Sequence, residues 1–405
     1  MHDVIMGKKH ASALSALMSA AAALPIVAIP VSSVAQVFED EFVPAVLPAG
    51  AAIGIRTLSY RESHVRMKVS ESVAWIKIPL GENWEIAGSR LLDVVSGASA
   101  ARVSNQSGRP VQIITGASGE PIKDRRNGGD VSVKRKIGDG TLSLSQASSR
   151  EEDYQSRAFG AAATIDFNER NTTFALGYGK SDDEVRSVDD PGLRANRKSR
   201  ELLFGVTQLL DRHSLLQSNL ANTRNSGYLS DPYRSTISFY RDGLFPPLVL
   251  VKDSRPDSRD QWAWLTRYKR ALPAQLAVIS TEYRYYRDDW GIRAHTLYAS
   301  WLQTMSERWK LEAGLRYHWQ DEADFYRAEI TQRPVPKYTS SDQRLAGFGT
   351  LEPSVKVIVN LTAGMSMDFG ISVYRQQGNW KIGGGTPTFE PLQAVAINAG
   401  IVHRF

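Results

Sequence analysis

The feature that most limits what this chain can fold into is a two-residue rhythm. In residues 309–320, Trp309, Leu311, Ala313, Leu315, Tyr317 and Trp319 share one parity, and Lys310, Glu312, Gly314, Arg316, His318 and Gln320 the other. Residues 260–272 repeat it, with Trp262, Trp264, Thr266 and Tyr268 against Arg267 and Lys269. Alternate side chains of a strand point to opposite faces, whereas a helix needs a period near 3.6, which neither stretch shows. An apolar face with aromatics near both ends, backed by a polar face, is what lipid outside and water inside demand of a transmembrane strand. Sixteen segments of this kind follow one another: 51–60, 65–78, 84–94, 130–137, 141–150, 155–167, 171–184, 200–211, 213–224, 260–272, 274–288, 293–305, 309–322, 344–361, 366–377 and 392–405. Each reaches or nears the roughly 9–11 residues with which a tilted strand crosses a bilayer. Residues 130–137, 141–150 and 293–305 are patterned weakly, so fourteen strands also fit.

The connections alternate between short and long. On one side stand Pro79 to Asn83, Gly138 to Gly140, Asn168 to Arg170, Arg212, Pro273, Ser306 to Arg308 and Thr362 to Gly364, several with the Gly, Asn or Asp of tight hairpins. On the other lie 95–129, 185–199, 225–259 and 323–343. Short periplasmic turns and long outer loops are the habit of outer-membrane barrels. The fold class is therefore all-β, a single transmembrane antiparallel β-barrel over 51–405 with both ends in the periplasm. One segment resists the pattern: in 65–78 the apolar parity of Val69, Val73 and Trp75 also carries Glu71. Either a bulge re-aims Glu71 or the register differs there, because an acid facing mid-bilayer lipid is unfavourable.

Composition removes other classes. Zero Cys excludes disulfides, thiolate metal sites, iron–sulfur clusters and CxxC redox pairs, and no cofactor is expected. Lys and Arg number 49 against 43 Asp and Glu, intermixed, which gives little support for nucleic-acid binding. A mean hydropathy of -0.30 with one long apolar stretch excludes a polytopic helical membrane protein. That stretch, Ala11 to Val31, follows Lys8, Lys9 and His10 and precedes Ser33-Val34-Ala35, so 1–35 reads as a signal peptide cleaved after Ala35. Residues 36–50 would be a periplasmic segment. At the far end Val395, Ile397, Ala399, Ile401 and His403 share one face of a last strand ending in Phe405, a terminal aromatic of the kind read by the barrel-assembly machinery.

Several blocks resemble one family in order along the chain: Asp93 to Ser99, Arg150 to Tyr154, Gly227 to Tyr233, Arg255 to Arg259, Tyr283 to Ile292 with His295-Thr296, Ala323 to Tyr326, and Ser341 to Leu345. From about residue 51 onward the chain resembles the bacterial outer-membrane proteins catalogued as domain of unknown function 3570. The resemblance implies a fold and an address rather than an activity. It also implies periplasmic redox company, since members tend to be encoded beside thioredoxin-like and lipoprotein-like proteins.

On the strand map these blocks fall at the outer mouth. Asp93, Asp153, Asp231, Asp288, Asp289, Asp324 and Asp342 then form a charged rim or constriction with Arg150, Arg255, Arg259, Arg284, Arg287 and Arg344, or simply anchor the loops. His295 beside the aspartates would offer a metal one imidazole, but an Arg accompanies nearly every Asp, and neutralisation by ion pairs is the cheaper outcome. Ser96, His295 and Asp93 are residue types that meet at random, and GxSxG, HExxH and a phosphate-binding glycine loop are all missing, so no enzyme is expected. Arg267, Lys269, Arg284, Lys310, Glu312, Arg316, His318, Glu352 and Lys356 would point into a mildly basic lumen. Residues 100–129, basic through Arg102, Arg109, Lys123, Arg125 and Arg126, would fold into the pore or lie on lipopolysaccharide phosphates. The expected function is a channel for a small polar or ionic solute. The alternative is a non-conducting barrel that anchors periplasmic partners, which would leave its inner charges consumed in pairs.

Overall fold

A computed structural model of the protein describes residues 50–405 apart from 64–66, 98–101, 107–108, 114–121, 240–247 and 332–333. The expected signal peptide with Ala35 and the segment 36–50, save Gly50, lie outside the described residues, as do the side chains of Arg102, Arg109 and Lys123.

The described residues form twenty strands: β1 (Ala52–Glu62), β2 (Met67–Leu80), β3 (Trp84–Gly97), β4 (Arg102–Gln106), β5 (Arg109–Ile113), β6 (Ile122–Ile137), β7 (Gly140–Arg150), β8 (Tyr154–Phe167), β9 (Thr172–Arg186), β10 (Arg194–Asp211), β11 (Ser214–Gly227), β12 (Ser235–Phe239), β13 (Leu248–Lys252), β14 (Ser258–Leu272), β15 (Ala277–Asp288), β16 (Arg293–Thr304), β17 (Trp309–Gln320), β18 (Phe348–Asn360), β19 (Met365–Gln377) and β20 (Leu392–Arg404). Sixteen of them close into one antiparallel barrel, each paired with its neighbours in chain order. The hairpins β4–β5 and β12–β13 stand apart from it, inside two of the connections. Closure is made by β1 against β20, from Ala52 opposite Arg404 to Glu62 opposite Ala394, and the Phe405 amide donates to the Ala51 carbonyl at 2.9 Å. Sixteen strands, not fourteen, form the wall, and the three weakly patterned segments are β6, β7 and β16.

The two ends of the barrel differ as the connections foretell. No turn on the inner side exceeds four residues, and Gly138, at φ 59, takes the left-handed conformation that the two-residue turn between β6 and β7 requires. The opposite end carries 228–257, 321–347 and 378–391. The loop after β3 is shorter than the sequence pattern suggests, because β6 begins at Ile122 and draws Arg125 and Arg126 into the wall.

Outside, the strands expose Leu176, Leu202, Phe204, Leu315, Trp264 and Phe369, each at least 46% accessible, an apolar outer face of the kind found on transmembrane barrels. Inside, one sector is packed rather than wet: Leu58, Tyr60, Met67, Val69, Tyr374, Ala394 and Ala396 form a cluster on β1, β2, β19 and β20. This corrects the reading of 65–78. Val69, Val73 and Glu71 are buried, while Ala74, Ile76 and Ile78 face outward, and the β1–β2 and β2–β3 ladders run without a register shift. Glu71 needs no bulge, because the apolar parity of β2 faces the barrel interior.

Candidate functional site

Two long loops meet over the outer mouth. The Ser254 amide donates to the Thr339 carbonyl at 3.0 Å and the Thr339 amide returns to Ser254 at 2.8 Å, while the Ile330 amide reaches the Ile237 carbonyl at 2.9 Å. These bonds tie 228–257 to 321–347. Between the loops lie three aspartates, Asp231, Asp253 and Asp342, and three arginines, Arg234, Arg255 and Arg344. Arg255 bonds Asp253 at 2.7 Å and Asp342 at 3.0 Å; Arg234 lies 3.4 Å from Asp231 and 3.6 Å from Asp342; Arg344 contacts Asp342 and reaches Asp231 at 3.2 Å. Asp253 also accepts the Asp231 amide at 2.8 Å. Asp342 has no accessible surface at all. Three charges of each sign neutralise the cluster, and forked guanidiniums fix its geometry as single-point charges would not.

The titration behaviour follows from that arrangement. Burial alone would raise the Asp342 carboxyl, but Arg234, Arg344 and Arg255 together outweigh it and hold the group well below the usual range. Burial prevails at Asp253, whose pKa is raised despite Arg255 beside it. Arg255 itself is pushed up, since the nearby Asp253, Asp342 and Asp231 overcome its own desolvation.

The cap is fastened to the rest of the rim. Tyr233 donates its hydroxyl to Asp153 in the β7–β8 turn and accepts the Val188 amide of the β9–β10 connection at 3.1 Å. An apolar layer that includes Trp290, Phe325, Leu345, Phe348 and Phe389 joins the β15–β16 turn to 321–347 and 378–391. Asp288, whose side chain is fully buried, organises that turn by accepting the Trp290 and Ile292 amides at 3.1 and 2.9 Å, the Tyr286 hydroxyl at 2.8 Å and Arg259 at 2.5 Å. Arg259 in turn lies 4.3 Å over the Trp290 ring.

Other rim candidates lie outside this cluster. His295 is on the outer surface of β16, stacked on Trp319 with centroids 4.8 Å apart and bonded to the Tyr283 hydroxyl at 2.8 Å. It belongs to an aromatic girdle and cannot join the aspartates, which corrects its inclusion in the rim. Arg150 and Arg287 also turn outward, because their parities are those of Leu144 and Tyr285. Asp289 lies exposed at a turn, accepting the Asp260 amide at 2.9 Å. Asp324 is exposed as well, with its own amide bonded to the Trp290 carbonyl at 2.9 Å. Asp93 sits within the barrel, opposite Glu71 on β2 and Arg126 on β6. Arg126 bonds Ser149 at 2.7 Å and lies 3.6 Å from Glu151. Among the described residues, no three His, Asp or Glu side chains are grouped as metal ligands.

Below the cap, the inner wall is less basic than its residue count suggests. Arg267 pairs with Glu282 at 2.7 Å, Lys356 with Glu312 at 2.7 Å, Arg316 with Glu352 at 3.6 Å and Arg56 with Asp368 at 2.9 Å. His318 bonds Thr296 at 2.8 Å. Among the described residues, Lys269, Arg284 and Lys310 face inward from β14, β15 and β17 without an ion pair. Arg234 and Asp253, which complete the cap, sit between the sequence blocks and are recognisable only once the loops are folded together.

The sequence matches the family described as protein of unknown function (DUF3570) over residues 14–201 and 190–390. The chain belongs to that family. Segments by which it resembles the DUF3570 proteins, Gly227 to Tyr233, Arg255 to Arg259 and Ser341 to Leu345, contribute to the cap. No curated protein matches the sequence. In fold it is similar to a bacterial polysaccharide outer membrane secretin, with a TM-score of 0.50 and 9% identity over 88% of this chain and 99% of that one. It also aligns with a loop-deletion mutant of OmpT, an outer membrane protein of Vibrio cholerae (TM-score 0.41, 10% identity, 88% and 98% covered). A third alignment is with the CymD monoaromatic hydrocarbon channel (TM-score 0.42, 8% identity, 88% of both chains). The closed barrel of this family member and its likeness to the secretin give it the barrel architecture of outer-membrane proteins.

Proposed function

We propose that the protein is an outer-membrane channel for a small polar or ionic solute, with its outer mouth closed by a loop cap. The observation that carries this reading is the neutral cluster of Asp231, Asp253, Asp342, Arg234, Arg255 and Arg344, which locks 228–257 to 321–347. The barrel ladder is complete without that cluster. Releasing the cap therefore costs the free energy of the cluster and leaves the wall intact, which is the mechanical property of a gate. Lys269, Arg284 and Lys310 place local positive charge on the wall beneath it, which supports anions as the cargo. Solute flux into vesicles holding the protein tests this. The Arg255→Gln/Arg344→Gln chain is expected to admit small anions several-fold faster than the unaltered chain, and equal, background flux through both folded barrels would refute a gate.

The paired inner charges favour a second reading, a non-conducting barrel that anchors periplasmic thioredoxin-like or lipoprotein partners. Four ion pairs on the wall consume charge that an ion path would leave available. On this reading neither chain passes solute, and a periplasmic protein co-purifies with the barrel.

A further inference from the structure

Cross-strand partners on one face of a sheet stand about 4.5–5.5 Å apart, and like charges placed directly opposite each other are unfavourable. The outer surface of this barrel nevertheless sets Arg200 of β10 directly opposite both Lys180 of β9 and Arg224 of β11. All three side chains are exposed on the lipid-facing parity. Arg224 has one acidic partner, Asp260 at 3.2 Å, and Lys180 lies 5.7 Å over the Phe159 ring; among the described residues, Lys180 and Arg200 have no ion pair. One step further out, Asp182 is flanked by Arg157 and Lys198, also directly opposite it. Five basic groups on β8, β9, β10 and β11 thus face two acids, Asp182 on β9 and Asp260 on β14.

The patch has a definite height. On β10, the outward positions Leu202, Phe204, Val206, Gln208 and Leu210 continue from Arg200 toward the short turns. A run of eight residues at about 3.4 Å each, tilted by roughly 40°, spans about 21 Å, close to the ~25 Å apolar band of such barrels. Exposed Tyr178, Leu176 and Phe174 continue below Lys180 in the same way. Arg200 and its neighbours therefore lie where the headgroups of the outer leaflet begin. Basic side chains at that depth attract anionic headgroups.

We infer that Lys180, Arg200 and Arg224 form a binding site for the phosphate groups of a phosphorylated glycolipid of the outer leaflet. An anion bridging the row would relieve its mutual repulsion, and the apolar surface just below would take the acyl chains. The site rests on the outer-membrane location argued above. At roughly fivefold per basic residue near the headgroups, the row makes binding on the order of a hundredfold tighter.

The test titrates bisphosphorylated lipid A, its dephosphorylated form and phosphatidylglycerol into the purified full chain, with bound lipid read by native mass spectrometry. The unaltered chain is expected to bind lipid A about a hundredfold more tightly than the Lys180→Gln/Arg200→Gln/Arg224→Gln chain. It should also lose most of its affinity when the phosphates are removed. Heat-modifiable gel migration reports that both chains are folded, and the dephosphorylated lipid tests the site on the unaltered chain alone. Equal binding by both chains, indifference to the phosphates, or equally tight binding of phosphatidylglycerol would overturn the inference. Cell fractionation separates the two levels: a barrel in the outer membrane that fails the titration loses only the site, whereas absence from the outer membrane removes both.

Discussion

Asp342 shows how much of the outer mouth hangs on one carboxylate. It has no accessible surface, is approached by three guanidiniums, and also caps the backbone of Arg344. Removing one member of a buried charge cluster leaves the rest uncompensated, typically at about 3–5 kcal/mol. Asp342→Asn is thus expected to release the cap and open 228–257 and 321–347 to trypsin, while heat-modifiable migration shows the barrel retained; loops as resistant as before would contradict this. The pH dependence follows from opposite shifts. Asp342, depressed in the fold, contributes stability that is fully present above its unfolded value near 3.9 and is lost only as pH falls through its lower folded value. Asp253, raised in the fold, takes up its proton first, and that uptake favours the folded state as pH falls. The cap should therefore remain closed in hydrogen exchange from about pH 7 down to about pH 4, and opening within that window would be the contrary result. Residue types and loop positions already bring Asp231, Arg255, Asp342 and Arg344 together in the sequence. Which carboxylate meets which guanidinium is set by two loops folding onto each other, so Arg234 and Asp253 are illegible there.

At the scale of elements, strands and turns are legible because the two-residue period and the short-long alternation are local. The faces are legible only where the interior is polar. On β17, charge inside and aromatics outside leave no ambiguity. On β2 both sides are partly apolar, because Val69 packs into an internal cluster while Ile76 and Ile78 are exposed on the outer face, and alternation alone cannot rank them. The same limit misplaces His295: a rim location is readable, but its side of the sheet depends on register with β15 and β17. The β15–β16 turn offers a test at this scale. Gly291 has φ 90, and a Cβ there would stand 2.3 Å from a carboxylate oxygen of Asp324. Gly291→Ala imposes an unfavourable backbone conformation and makes the exposed Asp324 carboxylate swing aside, and should destabilise the rim by about 1–3 kcal/mol. Urea unfolding in vesicles measures it, and an unchanged midpoint would show that the turn carries no strain.

For the whole molecule, sixteen strands closed by β1 against β20 give a wall whose ladder is complete without the loops, a roof whose charges cancel, and an outer surface with its own basic row. On the proposed function, solute passes inside this wall when the roof opens. Single-channel conductance in a planar bilayer under a salt gradient addresses it most directly, with the unaltered chain, Asp342→Asn, and Asp342→Asn combined with Arg284→Glu compared. Rare openings are expected for the unaltered chain, frequent anion-preferring openings when the cap is released, and loss of that preference when Arg284 is reversed. Silence from all three, each shown to be folded and inserted, would contradict it and leave the barrel as an anchor.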